Sequence, residues 1–215
     1  MKTQKPIFFS ILLLVTMLAC TTITNLASQP TPSRVVFEES EFVDSCNTES
    51  TTDVERFVEN GQFLMRVTNS SYIGWTECTE IEYADFILEA DATQVSGPNN
   101  NAYGVILRYG LQSDEFYAFM VSGDGFYAFT VDGANHTDPE FLAEWAESSA
   151  IRQGAQTNRL KVSAVGPGMK FYVNDQLLGE VQDSRFTTGT VGFLVGTIDE
   201  GNVTVSFDNL RISEP

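Results

Sequence analysis

Hydrophobic residues of this chain alternate with polar ones over short stretches, and turn-forming residues separate those stretches. Leu160, Val162 and Ala164 alternate with polar neighbours until Gly166-Pro167-Gly168 interrupts the pattern. The alternation then resumes and runs up to Asn174-Asp175. Period-two alternation cut by Gly, Pro or Asn-Asp is typical of short antiparallel strands joined by hairpins.

The same pattern recurs along most of the chain and predicts the fold class. Further strand-like segments are 34–42, 54–60, 62–68, 81–90, 102–109, 116–121, 126–131, 191–195 and 203–212. The segment 139–149 (PEFLAEWAESS) is the one helix-like candidate, with an irregular edge strand as its alternative. About a dozen short strands with almost no helix predict an all-β protein, built as a two-sheet antiparallel β-sandwich.

One predicted hairpin is apolar on both of its faces. Its strands, 116–121 and 126–131, flank the turn Ser122-Gly123-Asp124-Gly125. Pairing Val121 with Phe126 leaves apolar or aromatic side chains on either side of the hairpin. Since a half-solvated sheet shows one polar face, we expect this hairpin to be covered on both sides or to line a groove.

The N-terminus has the pattern of a secretory signal. Lys2 and Lys5 precede the apolar run 7–18, which is too short and too close to the terminus for a stop-transfer helix. The run ends Met17-Leu18-Ala19-Cys20, which resembles a bacterial lipobox, although Met17 stands where Leu is usual. We therefore expect Cys20 to carry a lipid that attaches the protein to a membrane without spanning it. The alternative is an ordinary signal peptide with a coincidental cysteine.

This interpretation divides the chain into three parts. Residues 1–20 are a lipoprotein signal peptide, 21–33 form a flexible tether rich in Thr, Ser, Asn, Gln and Pro, and 34–215 form the sandwich domain. The address is extracytoplasmic, at the cell surface or in the periplasm. Loss of two lysines with the signal takes the net charge from −17 to −19, which argues against nucleic acid as a partner.

The chain has three cysteines. If Cys20 carries lipid, Cys46 and Cys78 remain in an oxidising compartment, where we expect them to form a disulfide. The alternative is two separate buried thiols.

Several segments together resemble the concanavalin A-like lectin/glucanase jelly roll. They are DFILEADATQ (85–94), NAYGVILRYG (101–110), EFYAFMVSGDGFYAF (115–129), the 158–174 hairpin and FDNLRIS (207–213). Among bacterial domains, the resemblance points to those related to laminin-G-like modules and to the 3-keto-disaccharide hydrolase domain. It implies a jelly roll from about residue 35 to 212, but this fold hosts lectins, hydrolases, adhesins and structural modules alike.

The sequence offers no convincing catalytic set. Family-16 glycoside hydrolases carry Glu-x-Asp-x-x-Glu on one strand, where this chain has Glu80, Glu82 and Asp85. In a regular strand Glu80 and Asp85 point to opposite faces, whereas a retaining mechanism needs two carboxyl groups about 5–5.5 Å apart. The single histidine, His136, stands in a polar loop. We therefore assign no catalytic residue.

Sugar binding would use aromatic platforms together with polar groups that satisfy hydroxyls. The candidates are Trp75, Tyr103, Arg108, Tyr109, Tyr127 and Trp145. Arg108 stands inside an otherwise apolar strand, so its charge must face solvent, a groove or a partner carboxylate. The alternative for each aromatic residue is a place in the core.

A structural calcium is a further expectation, because related jelly rolls can hold one where the first and last strands meet. The expected ligands here are Glu41, Asp208 and the carbonyl of Gly61, with Glu38 and Glu39 nearby. The alternative is that Asp208 bonds the backbone at a strand end. No other cofactor is expected.

Three functions remain open at the level of sequence. The first is a lipid-anchored module that binds a glycan or another cell-surface ligand without catalysis. The second is a glycoside hydrolase-like enzyme, which facing carboxylates in a groove would favour. The third is a structural or adhesive module, which a groove closed by side chains would favour.

Overall fold

The computed structural model describes residues 33–134 and 138–215. The predicted signal peptide, the lipidation site Cys20, nearly all of the tether and His136 lie outside the described residues. The described residues form fourteen strands, and they contain no helix long and apolar enough to cross a membrane. In chain order the strands are β1 (Val35–Glu39), β2 (Val54–Glu59), β3 (Gln62–Val67), β4 (Ile73–Glu77), β5 (Phe86–Ser96), β6 (Asn101–Gly110), β7 (Glu115–Val121), β8 (Phe126–Gly133), β9 (Glu140–Glu147), β10 (Asn158–Val165), β11 (Gly168–Val173), β12 (Gln176–Gln182), β13 (Thr190–Thr197) and β14 (Val203–Ser213).

The strands form two antiparallel sheets, which confirms the predicted all-β sandwich. The eight-stranded sheet has the order β12-β11-β10-β5-β14-β3-β2, and β1 also pairs with β14. The six-stranded sheet has the order β4-β13-β6-β7-β8-β9. Neighbours distant in sequence, such as β5 and β14, therefore pair at the centre of a sheet.

The core lies between the sheets and consists of the alternating apolar side chains of both. Phe193 of the six-stranded sheet stacks on Phe207 of the eight-stranded sheet, with ring centroids 4.1 Å apart. Phe119 and Phe129 similarly contact Phe171 across the core, each at 5.2 Å. Burial of each such ring contributes about 1.5–3 kcal/mol to folding.

The β7–β8 hairpin is one residue tighter than the predicted pairing. Val121 pairs with Tyr127 and not with Phe126. The reason is that Ser122 and Phe126 close the turn: the Ser122 N–H donates to the Phe126 carbonyl (2.9 Å), and the Phe126 N–H donates to the Ser122 hydroxyl (3.0 Å). Gly125 has a φ of 99°, the left-handed conformation that a three-residue hairpin loop requires at its end. Every residue of β8 therefore lies on the opposite face from the one that the predicted pairing gives it.

Both faces of this hairpin are nevertheless apolar and buried, as the sequence predicted. One face joins the core between the sheets. On the opposite, outer face of the six-stranded sheet lies a second apolar cluster, the outer-face cluster. It consists of Ala102, Ile106, Tyr109, Phe116, Ala118, Met120, Ala128 and Leu194. Partly buried Ile73, Trp75, Phe141 and Trp145 pack against it.

The helix-like segment 139–149 contains strand β9, so the helix interpretation is wrong and the edge-strand alternative is confirmed. Phe141 and Trp145 are four residues apart, a spacing that puts two side chains on one face of a strand as well as of a helix. Both pack against the outer-face cluster. Irregular pairing with β8 at Phe129 adapts the strand to this surface.

The predicted disulfide between Cys46 and Cys78 is present. It links the segment before β2 to the residue that follows β4. The Asn47 N–H donates to the Glu77 carbonyl (3.0 Å), and the Thr76 hydroxyl donates to the Asn47 carbonyl (2.9 Å), so hydrogen bonds continue the link.

We expect replacement of both cysteines by serine to lower the free energy of unfolding by about 3–4 kcal/mol, because the unfolded chain regains the entropy of a loop of this length. Urea denaturation of residues 34–215 with and without reductant measures the change. Reduced wild type should match the double variant. Equal stability of oxidised and reduced protein would contradict the expectation.

Candidate functional site

A cavity of about 340 Å³ opens beside β4, between the disulfide-linked segment before β2 and the end of β6. We call it the Trp75 pocket. Its aromatic lining is Tyr72, Trp75 and Tyr109. Its polar and charged lining includes Asn47, Glu49, Arg56, Glu77 and Asp114.

Arg56 holds two walls of the Trp75 pocket together. One terminal N–H group of its guanidinium donates to the carbonyl of Glu49 (2.7 Å), and the other donates to the carbonyl of Trp75 (2.7 Å). Desolvation by burial lowers the pKa of Arg56, and the nearby Glu77 opposes this effect. The Nε–H is buried without a hydrogen-bond partner among the described residues. The pocket wall therefore retains one unsatisfied donor.

Asp114 orients two of the aromatic rings. It lies in the turn after β6 with a φ of 57°, a left-handed conformation that Asp tolerates better than most residues. Its Oδ1 accepts a hydrogen bond from the Tyr109 hydroxyl (2.6 Å) and a longer one from Trp75 Nε1 (3.3 Å). Burial and then the bond to Asp114 raise the pKa of Tyr109, so this tyrosine remains protonated and keeps donating.

Trp75 and Tyr72 differ in how firmly other side chains hold them. Trp75 is half-buried, and its ring packs on the ring of Phe116 with centroids 5.3 Å apart, so this contact fixes its position. Tyr72 is 37% exposed. Aromatic surface beside a few fixed polar groups is the composition of a small-molecule site, and a sugar ring offers both an apolar face and hydroxyls to match it.

The predicted binding residues do not all lie together. Trp75 and Tyr109 share the Trp75 pocket. Trp145 lines a separate cavity of about 170 Å³ at the β7–β8 turn. Tyr127 packs against the core and donates to the carbonyl of Leu178 (3.2 Å), whereas Tyr103 is fully buried and bonds Asn158 (3.2 Å). The structure thus offers no surface of Tyr103 to a ligand.

Arg108 is 1% exposed and holds one end of the sandwich together. Its φ of 50° marks a break in the pairing of β6, which turns the side chain toward the loops and away from the sheet face. The guanidinium donates to the carbonyls of Ala84 (2.8 Å), Gly166 (2.8 Å) and Phe186 (3.0 Å). The carboxylate of Asp85 lies 3.8 Å away. These contacts give Arg108 a structural role.

We expect Arg108→Ala to lower the free energy of unfolding by about 3 kcal/mol or more, since it removes a buried guanidinium and its charge-assisted hydrogen bonds to three carbonyls. Arg159→Ala is the matched control, because Arg159 is an exposed arginine in an ion pair with Glu89. We expect the control to change stability by less than about 1 kcal/mol. Chemical denaturation of both variants tests this, and similar losses in the two would contradict it.

Sequence reasoning missed Asn47, Arg56, Tyr72, Glu77 and Asp114 as members of the site. They come from separate segments, and each alone looks like an ordinary loop or strand residue. The available signal was the predicted disulfide, because Asn47 follows Cys46 and Glu77 precedes Cys78. Pairing the cysteines brings these two polar residues together, and the Asn47 amide donates to the Glu77 carboxylate (3.1 Å).

The acidic motif considered for catalysis does not form a facing pair on a strand. Glu80 and Glu82 are exposed in the connection before β5. Asp85 accepts a hydrogen bond from the Gly166 N–H (2.8 Å) at the β10–β11 turn. None of the three lines the Trp75 pocket.

Two of the three residues expected to bind calcium, Gly61 and Asp208, accept hydrogen bonds within the protein. The Gly61 carbonyl accepts the Phe42 N–H (2.7 Å). Asp208 accepts bonds from the Gln62 amide (3.0 Å) and the Asn209 N–H (2.8 Å). Within 33–134 and 138–215, no group of three or more His, Cys, Asp or Glu side chains is arranged to hold a metal. Calcium binding stays a prediction.

No known family model matches the sequence. No curated protein matches it either. Solved structures do match. The carbohydrate-binding module CBM66 from Bacillus subtilis superposes with a TM-score of 0.63 at 19% identity, over 79% of this chain and 96% of that one.

The β-glucanase of Bacillus licheniformis superposes with a TM-score of 0.60 at 10% identity, over 86% of this chain and 100% of the enzyme. The chain has a concanavalin A-like fold. A Bacillus subtilis protein of unknown function with a galectin-like fold gives a TM-score of 0.62 at 8% identity, over 84% of this chain and 96% of that one. At such identities the likeness shows the fold alone. The chain thus resembles carbohydrate-binding modules and glycoside hydrolases alike.

Proposed function

We propose that this protein is an extracytoplasmic, lipid-anchored module that binds a glycan in the Trp75 pocket without cleaving it. The observation that carries the proposal is the meeting of Tyr72 and Trp75 with fixed polar groups in one cavity. The similarity to a carbohydrate-binding module supports it. The Cys46–Cys78 disulfide agrees with a location outside the cytoplasm.

The pocket supplies both kinds of contact that a saccharide needs. The apolar face of a sugar ring would lie on Trp75 and Tyr72. The Asn47 amide would donate hydrogen bonds to its oxygens, and the Glu77 carboxylate would accept hydrogen bonds from its hydroxyls. Trp75 and Tyr109 are already oriented by Asp114, so little side-chain entropy is lost when the ligand binds.

Binding without cleavage is the version we favour, because the acid nearest the aromatic rings has a structural role. Asp114 Oδ1 accepts hydrogen bonds from Tyr109 and Trp75 and so orients both rings, and the acidic motif considered for catalysis lies outside the pocket. The resemblance to a β-glucanase keeps hydrolysis as the alternative outcome of the test below.

We expect Tyr72→Ala to weaken retention on a cognate glycan at least about tenfold, or about 1.4 kcal/mol, because it removes an aromatic wall. The side chain is partly exposed, so folding should survive the change. Tyr172→Ala is the matched control: it removes a partly exposed tyrosine from β11 of the other sheet. A glycan array followed by titration of residues 34–215 measures both.

Each result of that screen decides between functions. Retention lost only in Tyr72→Ala supports the proposal. Release of shortened products would replace it with a hydrolase. Absence of retention across the array, or equal loss in both variants, would favour a structural or adhesive module.

The lipid anchor has its own test. We expect Cys20→Ser to abolish incorporation of labelled fatty acid and to move the full-length protein from the membrane fraction to the soluble fraction. Cell fractionation with fatty-acid labelling in a bacterial host measures both effects. Unchanged labelling would place the lipid elsewhere, and its absence from wild type would show an ordinary signal peptide.

A further inference from the structure

The charge around the Trp75 pocket is unbalanced. Glu49, Glu77 and Asp114 line the cavity, and Arg56 is the one basic side chain among the described residues that line it. A saccharide with carboxylate or sulfate groups would enter this surrounding against repulsion. The pocket therefore favours a ligand with the opposite charge.

Arg56 does little to offset that charge for a ligand. Each of its two terminal NH₂ groups donates to a main-chain carbonyl of the walls, one to that of Glu49 and the other to that of Trp75. An anionic ligand would thus find no free guanidinium fork to bind in the bidentate way that Arg uses for carboxylate and phosphate.

The negative field acts inside the pocket as well as at its edge. Asp114 and Glu77 both contribute to raising the pKa of the Tyr109 hydroxyl, after the larger effect of burial. The whole chain carries a net charge of −17, which adds attraction for cations at longer range. Salt screens this longer-range part at distances beyond about 10 Å at 0.1 M.

A protonated amine can interact with both the carboxylates and the aromatic rings of the pocket. An ammonium group donates up to three hydrogen bonds, which carboxylates accept in charge-assisted form. It is also attracted to the face of an aromatic ring, most strongly that of Trp. Trp75 and the carboxylate of Glu77 line the same cavity.

We propose that the Trp75 pocket selects saccharides that carry a free amino group, such as oligomers of glucosamine, over neutral and acidic saccharides. This inference rests on the proposed glycan-binding function and specifies its ligand. An acidic protein attracts any cation through its net charge. The proposed preference is different, because it comes from Glu77 and its neighbours in the pocket.

The test compares glucosamine oligomers with N-acetylglucosamine oligomers of the same length, and with oligomers of a uronic acid. Titration calorimetry of residues 34–215 at low and high salt gives the affinities. We expect the amino form to bind at least about tenfold more tightly than the acetylated form, and the uronic acid not to bind. Part of the preference should persist at high salt, because the contacts are short.

Glu77→Gln and Glu180→Gln form a matched pair, since each removes one negative charge. Glu180 lies in β12 of the eight-stranded sheet, and its partner Lys170 is 3.8 Å away. We expect Glu77→Gln to reduce the preference for the amino form several-fold and Glu180→Gln to leave it unchanged.

The outcomes separate this inference from the function on which it rests. Equal affinity for amino and acetylated oligomers, or tighter binding of the uronic acid, would overturn the inference and leave glycan binding intact. An equal effect of the two variants would also overturn it, because the preference would then come from net charge. If no saccharide binds, both the inference and the proposed function fail.

Discussion

The Cys46–Cys78 disulfide holds the segment before β2 against the end of β4, and the Trp75 pocket lies where these two pieces meet. Asn47 and Glu77, the neighbours of the two cysteines, bond each other through both main chain and side chains. Arg56 then ties the same segment to the main chain of Trp75. One covalent bond therefore positions residues that are far apart in sequence, and formation of that bond needs oxidising conditions.

The packed sandwich holds the side chains of the Trp75 pocket in place. Stacked rings such as Phe193 and Phe207 join the two sheets. The ring of Trp75 packs on Phe116, which belongs to the outer-face cluster. This fold supports binding modules and hydrolases alike, so function depends on a few side chains at the surface, and we propose that these are the residues of the Trp75 pocket. Here those side chains are aromatic and acidic, and they are held by hydrogen bonds to the protein itself.

Local patterns in the sequence predicted what depends on local physics. Alternation and turn residues predicted most of the strands, although not β4 (Ile73–Glu77), and the number of cysteines predicted the disulfide. The errors came from contacts that no local pattern shows. The Ser122 hydroxyl tightened the β7–β8 turn by one residue. The left-handed conformation at Arg108 turned its guanidinium toward three distant carbonyls, so a residue selected for ligand binding proved structural. Of the pocket residues the sequence indicated Trp75 and Tyr109 but none of the polar ones, because the polar residues come from separate segments.

The most direct test of the account is fluorine NMR of the domain labelled with fluorotryptophan. The chain has two tryptophans, Trp75 in the pocket and Trp145 in a separate cavity, so each gives one resonance. Addition of an oligosaccharide that binds the domain should shift the resonance of Trp75 and leave that of Trp145 unchanged. A shift of Trp145 alone, or of neither resonance while binding is saturated, would show that the glycan binds elsewhere and would contradict the assignment of the pocket.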